Sequence, residues 1–131
     1  MAQHPNVVKM RRGYEAFSNG DMETLRKEIF APDVVFHVTD SGPLNGDYKG
    51  TDEVLGYFAK LVEETGGSLA VEVHDILAND EHGVALVQVT AQRAERRIDQ
   101  KQVHVFHITD GAITENWGFP EDTAESNDFF S

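Results

Sequence analysis

Apolar residues recur at helical spacing in the first half of the chain and at every second position in the second half, so helices are predicted first and strands afterwards. Val7, Met10, Tyr14 and Phe17 share one helical stripe, Pro5 suits a first turn, and Asn19-Gly20 ends the run, which predicts a helix over about 5–19. Asp21 can cap a second helix, about 21–31, with the stripe Met22, Leu25 and Ile29 and a stop at Pro32. Residues 33–38 (DVVFHV) are β-branched and aromatic and read as a short strand. Residues 39–50 hold three glycines and a proline and read as loop. A third helix, about 51–65, presents Val54, Leu55, Phe58, Leu61 and Val62 and closes at Gly66-Gly67. Alternation then predicts strands over about 69–78, 83–93, 97–109 and 112–119, with Asp110-Gly111 as a hairpin turn. The acidic tail, 120–131, carries no assigned element.

The order ααβαββββ predicts an α+β domain in which helices cover one face of a curved, mostly antiparallel sheet. A chain of 131 residues is one domain's worth, and it can bury roughly two thirds of its unfolded surface. With no cysteine it has no disulfide, thiol nucleophile or cysteine-ligated zinc. Its apolar runs stop at the four residues Val84 to Val87, too short for a spanning helix, so no membrane partner is expected. The start, Met1-Ala2-Gln3-His4-Pro5, lacks the order of a signal peptide, and a cytoplasmic location is the expectation.

Eleven Lys+Arg against 23 Asp+Glu leave a net charge of −12, a field that repels phosphate backbones. The basic residues that do cluster, such as Arg93, Arg96, Arg97 and Lys101, are interleaved with apolar and acidic ones. Nucleic acid is therefore not an expected partner.

Glycine-rich phosphate loops, HExxH and GxSxG are missing, which leaves six histidines as candidates for proton transfer. His74, Asp75, Asp80 and His82 lie in turn-rich sequence with no spacing that converges them, so no metal is expected; nothing calls for an organic cofactor. In the strand over 97–109, Gln102, His104 and Phe106 share one face. That face is either the lining of a small-molecule pocket or a core in which Gln102 or a backbone carbonyl satisfies a buried His104. His37 points opposite to Phe36 and gains chemical interest if it shares a cavity with His104. Ile113, Glu115, Trp117 and Phe119 have one parity on the last strand, Thr114, Asn116 and Gly118 the other. Tyr14, Asn116 and Trp117 complete the candidate binding set, the tyrosine by aiming its hydroxyl into a cavity.

Three strings, in order, carry a resemblance. GYEAFSNGDMETLRKEIFAPDVVFHV resembles the opening helices and first strand of the nuclear transport factor 2-like superfamily. GPLNGDYKGTDEVLGYF and HVFHITDGAITENW resemble the loop, third helix and final hairpin of its SnoaL-like polyketide cyclase branch, related to the ketosteroid isomerases. The resemblance implies a single SnoaL-like domain over 1–131, a cone-shaped cystatin-like sheet around a long helix, a pocket at one end, and a homodimer through the outer sheet face. It implies that Gln102 and His104 match the pocket-lining Gln-x-His of the cyclases. It also places Gly118 where those cyclases carry an acid/base Asp, His37 and His104 where the isomerases carry their two Asp residues, and Tyr14 one residue from their oxyanion tyrosine. The expectation is a pocket for a hydrophobic small molecule. One reading is an isomerase, cyclase or hydrolase acting on a carbonyl-bearing substrate, with His37 and His104 catalytic. The alternatives are a non-catalytic binding protein and a dimeric interaction module.

Overall fold

The structure is a computed structural model describing residues 3–131; Met1 and Ala2, the start of the stretch read for a leader, lie outside the described residues. Helix α1 (Pro5–Ser18) opens on Pro5 and is capped by His4, whose Nδ1 accepts the Asn6 amide at 3.1 Å. Asp21 caps α2 (Met22–Thr24), which continues as a single π-type turn over Leu25–Ile29. The second helix thus ends before 31, because Phe30 already pairs with Ile113 at the start of β1 (Phe30–Val38). Pro32, read above as the stop, sits instead in the irregular stretch between Phe30 and Val35, where no ladder donor is demanded of it.

The segment read as loop, 39–50, contains a fourth helical turn, Gly42–Leu44, and a short strand, β2 (Gly46–Lys49), antiparallel to β1. Its composition hid it: Asp47 and Gly46 are poor strand formers, and pairing with Val35–Val38 overrides propensity. Then follow α3 (Thr51–Glu64), β3 (Ala70–Ala78), β4 (His82–Arg93), β5 (Arg96–Thr109) and β6 (Ala112–Pro120). The six strands form one curved mixed sheet in the order β2-β1-β6-β5-β4-β3, parallel only between β1 and β6. Irregularities at Val73/Asp75 and His107/Ile108 bend the long strands, as extra unpaired residues do.

The second of these corrects a parity. Ile108 pairs with Ile113 but His107 pairs with Glu115, so Thr114 is the extra residue. Ile113 is therefore buried on the same face as Asn116 and Gly118, whereas Glu115, Trp117 and Phe119 lie on the outer face. The inner face, with Ala85, Val87 and Val89 of β4 and Phe106 and Ile108 of β5, packs against Met10, Val54 and Phe58 from the helices.

The tail also folds. Asp122 caps α4 (Thr123–Phe129), and Gln100, 1% exposed, exchanges bonds with the Asp122 amide and carbonyl. Phe129 and Phe130 pack on Ala91 and Ile98, and Arg93 and Arg96 donate to the Phe129 and Asp128 carbonyls. None of this has a periodic signature in the tail, because its partners are distant in sequence. Among the described residues no helix is long and apolar enough to cross a membrane.

Candidate functional site

Between the helices and the concave sheet face lies a cavity of about 160 Å³. Phe17, Phe36, Phe58, Leu61, Val89 and Ile98 are among the apolar residues of its wall, and among the described residues no Lys or Arg lines it. The polar residues among its lining are Tyr14, His37, Asp40, Ser41, Tyr57, Gln102, His104, Asn116 and Ser126.

Strand alternation on β5 puts Gln102, His104 and Phe106 on the inner face, and α1 delivers Tyr14 opposite them. The Tyr14 hydroxyl lies 2.6 Å from His104 Nδ1, and His104 Nε2 lies 3.0 Å from Gln102 Oε1. An amide oxygen only accepts, so Nε2 carries the hydrogen and Nδ1 accepts the Tyr14 proton. Burial holds the His104 pKa down at about 4, so the imidazole is neutral at physiological pH, and burial pushes the Tyr14 hydroxyl above its ordinary value. With Oε1 engaged, the Gln102 Nε2 hydrogens have no partner among the described residues, and the side chain opens onto the cavity. Asn116, at 8% exposure, makes only long bonds, 3.4 Å to the Val105 carbonyl and 3.5 Å to that of Trp117. Phe106 packs edge-on against Tyr14 and His104.

Asp40 was not singled out from the sequence. It stands two residues beyond Val38, so its parity, extended past the strand end, matches Phe36 and Val38 and was the available signal. Burial raises its carboxyl above the ordinary range. It has no ion-pair partner among the described residues, and Oδ1 accepts only a long 3.4 Å bond from Ser41 Oγ. Ser41 Oγ in turn lies 2.8 Å from the buried Tyr57 hydroxyl. Burial first, and Asp40 second, push that hydroxyl above its usual value.

His37 does not join His104. Phe36 and Val38 take the inner face, so the His37 imidazole falls on the outer one, 2.8 Å from Asp47 Oδ1 and 2.6 Å from Glu115 Oε2, and stacked on Trp117. The Glu115 hydrogen bond raises its pKa, and Glu115, which also meets His107 at 3.1 Å, is lowered in return. His37 is one of the residues lining the cavity, but both nitrogens of its imidazole are engaged with Asp47 and Glu115 on the outer face, so the two imidazoles do not work together, and Trp117 on that outer face is not among the lining residues. Among the described residues no cluster of His, Asp and Glu converges as a metal site.

A family model described as the SnoaL-like domain matches residues 10–116. The chain belongs to the SnoaL-like family. An uncharacterized protein of Mycobacterium tuberculosis (strain H37Rv) is 30% identical across the whole of both chains. Bal32a, from a soil-derived mobile gene cassette, superposes with a TM-score of 0.91 at 28% identity over 97% of each chain. A Xanthomonas campestris protein with a cystatin-like fold gives 0.88 at 24%, covering 96% of this chain and 98% of that one. The candidate polyketide cyclase IdmH of Streptomyces antibioticus gives 0.73 at 21% over 90% and 93%. The last two likenesses carry the fold alone. Gln102 and His104 both lie on the inner face of this SnoaL-like domain. Gly118 lies directly across from His104 in the β5–β6 ladder.

Proposed function

We propose that this SnoaL-like domain binds a neutral, largely apolar, carbonyl-bearing small molecule in the cavity and acts on it by cofactor-independent acid/base chemistry of the isomerase or cyclase kind. The observation that carries the reading is the Tyr14–His104–Gln102 chain set in an otherwise apolar chamber. A neutral imidazole with both nitrogens engaged is a fixture, not a base: it turns the Gln102 amide so that its oxygen is used up and its N–H groups are left for a ligand. Donors held in a dry site without reorganisation are what a developing oxyanion requires. Among the described residues no Lys or Arg lines the cavity, which together with a net charge of −12 disfavours anionic ligands.

A non-catalytic binding role is the second reading, favoured by Gly118, which presents no ionisable group to the cavity. Thermal shift with 2-tetralone, a neutral bicyclic ketone, and with 2-naphthoate, an anion of similar shape, tests the site. Ligand at a hundred times Kd adds about 3 kcal/mol of apparent stability. The ketone is expected to stabilise the wild type and the anion is not. His104→Leu/Gln102→Leu is expected to lose the shift, and His37→Leu to keep it. A ketone shift unchanged in the double variant, or none in the wild type, overturns the reading.

A further inference from the structure

Asn116 sits on the inner face of β6 between two aromatic side chains, its register partners being Phe36 on β1 and Phe106 on β5. The two groups nearest its Nδ2 are the Val105 and Trp117 carbonyls, which only accept, so the amide nitrogen faces the strands and Oδ1 is turned away from them. Oδ1 has no partner among the described residues. Yet among those residues no fully buried side-chain oxygen or nitrogen is left unbonded, so Oδ1 is open to the cavity that Asn116 lines. An amide set between phenylalanines costs free energy unless its polar atoms are answered. The hydroxyl and imidazole donors of the lining are spent elsewhere: Tyr14 on His104, Tyr57 and Ser41 on each other, Ser126 on the Asp40 carbonyl, and both nitrogens of His37 on Asp47 and Glu115. Gln102 Nε2 is unspent, but Gln102 precedes Phe106, the partner of Asn116, by four residues, about 13 Å along β5. The Asp40 carboxyl also accepts, but it lies level with the His104–Gly118 pair: a Cβ on Gly118 would stand 3.6 Å from His104 Cδ2 and 3.8 Å from Asp40 Oδ2. One face of the cavity thus presents an open donor and, farther along, an open acceptor that it cannot reach.

We propose that Asn116 determines the ligand class: its Oδ1 accepts from a hydroxyl at the far end of the ligand while Gln102 Nε2 donates to the carbonyl at the near end, so the cavity selects hydroxy-ketones built on two fused rings. The inference rests on the functional reading above and deepens it from a neutral ketone to one that carries a hydroxyl on its second ring. With a hydrogen bond of about 3 Å at each end, about 7 Å remains between the two ligand oxygens, the length of a bicyclic skeleton substituted at both ends. Phe106, edge-on to Tyr14 and His104, lies between the two amides along β5 and gives the rings an apolar surface. The recognition has a direction. A second carbonyl at the Asn116 end would set oxygen against oxygen, and a hydrocarbon end would bury Oδ1 without a partner.

Dissociation constants for 2-tetralone and for its 5-, 6-, 7- and 8-hydroxy isomers, measured by calorimetric titration of the wild type and of Asn116→Leu, test the assignment. In the wild type at least one isomer is expected to bind about tenfold more tightly than the parent ketone, the scale of one buried hydrogen bond. The fluoro analogue of that isomer, similar in size but with no hydrogen to donate, is expected to lose the preference. Asn116→Leu, which keeps the shape of the side chain and removes the acceptor, is expected to bring the ratio of isomer to parent to about one. The comparison of hydroxyl with fluorine in the wild type keeps the test decisive if the variant does not fold. A wild type that binds the parent and prefers no isomer overturns the role of Asn116 and leaves the ketone reading intact. So does a preference shared by the fluoro analogue, or one that persists in Asn116→Leu. No binding of the parent or of any isomer overturns both.

Discussion

Tyr14 and His104 are 90 positions apart in the chain, yet the tyrosine hydroxyl sits 2.6 Å from the histidine Nδ1. The contact couples the first helix to the fifth strand at a place where the cavity wall turns polar. It fixes the imidazole tautomer and, through it, the orientation of Gln102.

Tyr14→Phe removes the donor and leaves Nδ1 buried without a partner. A loss of about 1–3 kcal/mol is expected, the usual cost of an orphaned buried acceptor. Urea denaturation measures it. A variant as stable as the wild type would show that water replaces the hydroxyl and that the chain does not order the site.

The same imidazole makes the fold acid-sensitive. Its pKa is about 4 when folded and 6.5 ordinarily, so the unfolded chain takes up a proton that the native one refuses. The stability it confers is complete above pH 6.5 and is lost as the pH falls from there through 4, by about 3 kcal/mol in all. The stability gap between wild type and His104→Leu should therefore narrow by that amount between pH 7 and pH 4. A constant gap would mean the ring protonates freely in the native state. His37 runs the opposite way: its raised pKa gives a contribution present below 6.5 and lost as the pH rises through the folded value.

Gly42 has φ +55°, and a Cβ there would meet the Asn127 carbonyl oxygen at 2.8 Å and Phe130 at 3.2 Å. Gly42→Ala should cost about 1–2 kcal/mol from the left-handed backbone alone, and should also unseat α4 and the Phe130 that follows it, since Ser126 of α4 and Phe130 line the cavity. Faster proteolysis within 121–131 is the expected readout. An unchanged cleavage rate would place the strain elsewhere.

The outer sheet face carries an apolar strip in which Leu86, Val103 and Phe119 are laterally paired, as are Val84, Val105 and Trp117. Phe119 is 57% exposed. The homodimer implied by the resemblance would bury this strip, and Phe119→Asp should weaken such a dimer by about 2 kcal/mol or more, the scale of an aromatic anchor. Sedimentation of both proteins at one concentration decides it. A wild type that sediments as a monomer rules out this use of the strip.

The periodicity of the chain was enough for the order of helices and long strands, because amphipathic elements declare their buried face locally. It was enough, too, for the inward set Gln102, His104 and Phe106, since alternation on an uninterrupted strand cannot change faces. The stretch around β2 was opaque: four residues with turn composition become a strand only when β1 offers its edge. Which of Asn116 and Trp117 faces inward stayed open in the sequence, because the extra residue at Thr114 separates the parity of Ile113 from that of the later positions, and a bulge is decided by the neighbouring strand. Asp40 and α4 were silent for a related reason. The burial that raises the Asp40 carboxyl is supplied by chain ends that meet only after folding, as the Ser126 bond to the Asp40 carbonyl records. Sequence determined which faces are apolar; tertiary structure alone decided which polar groups those faces bring together.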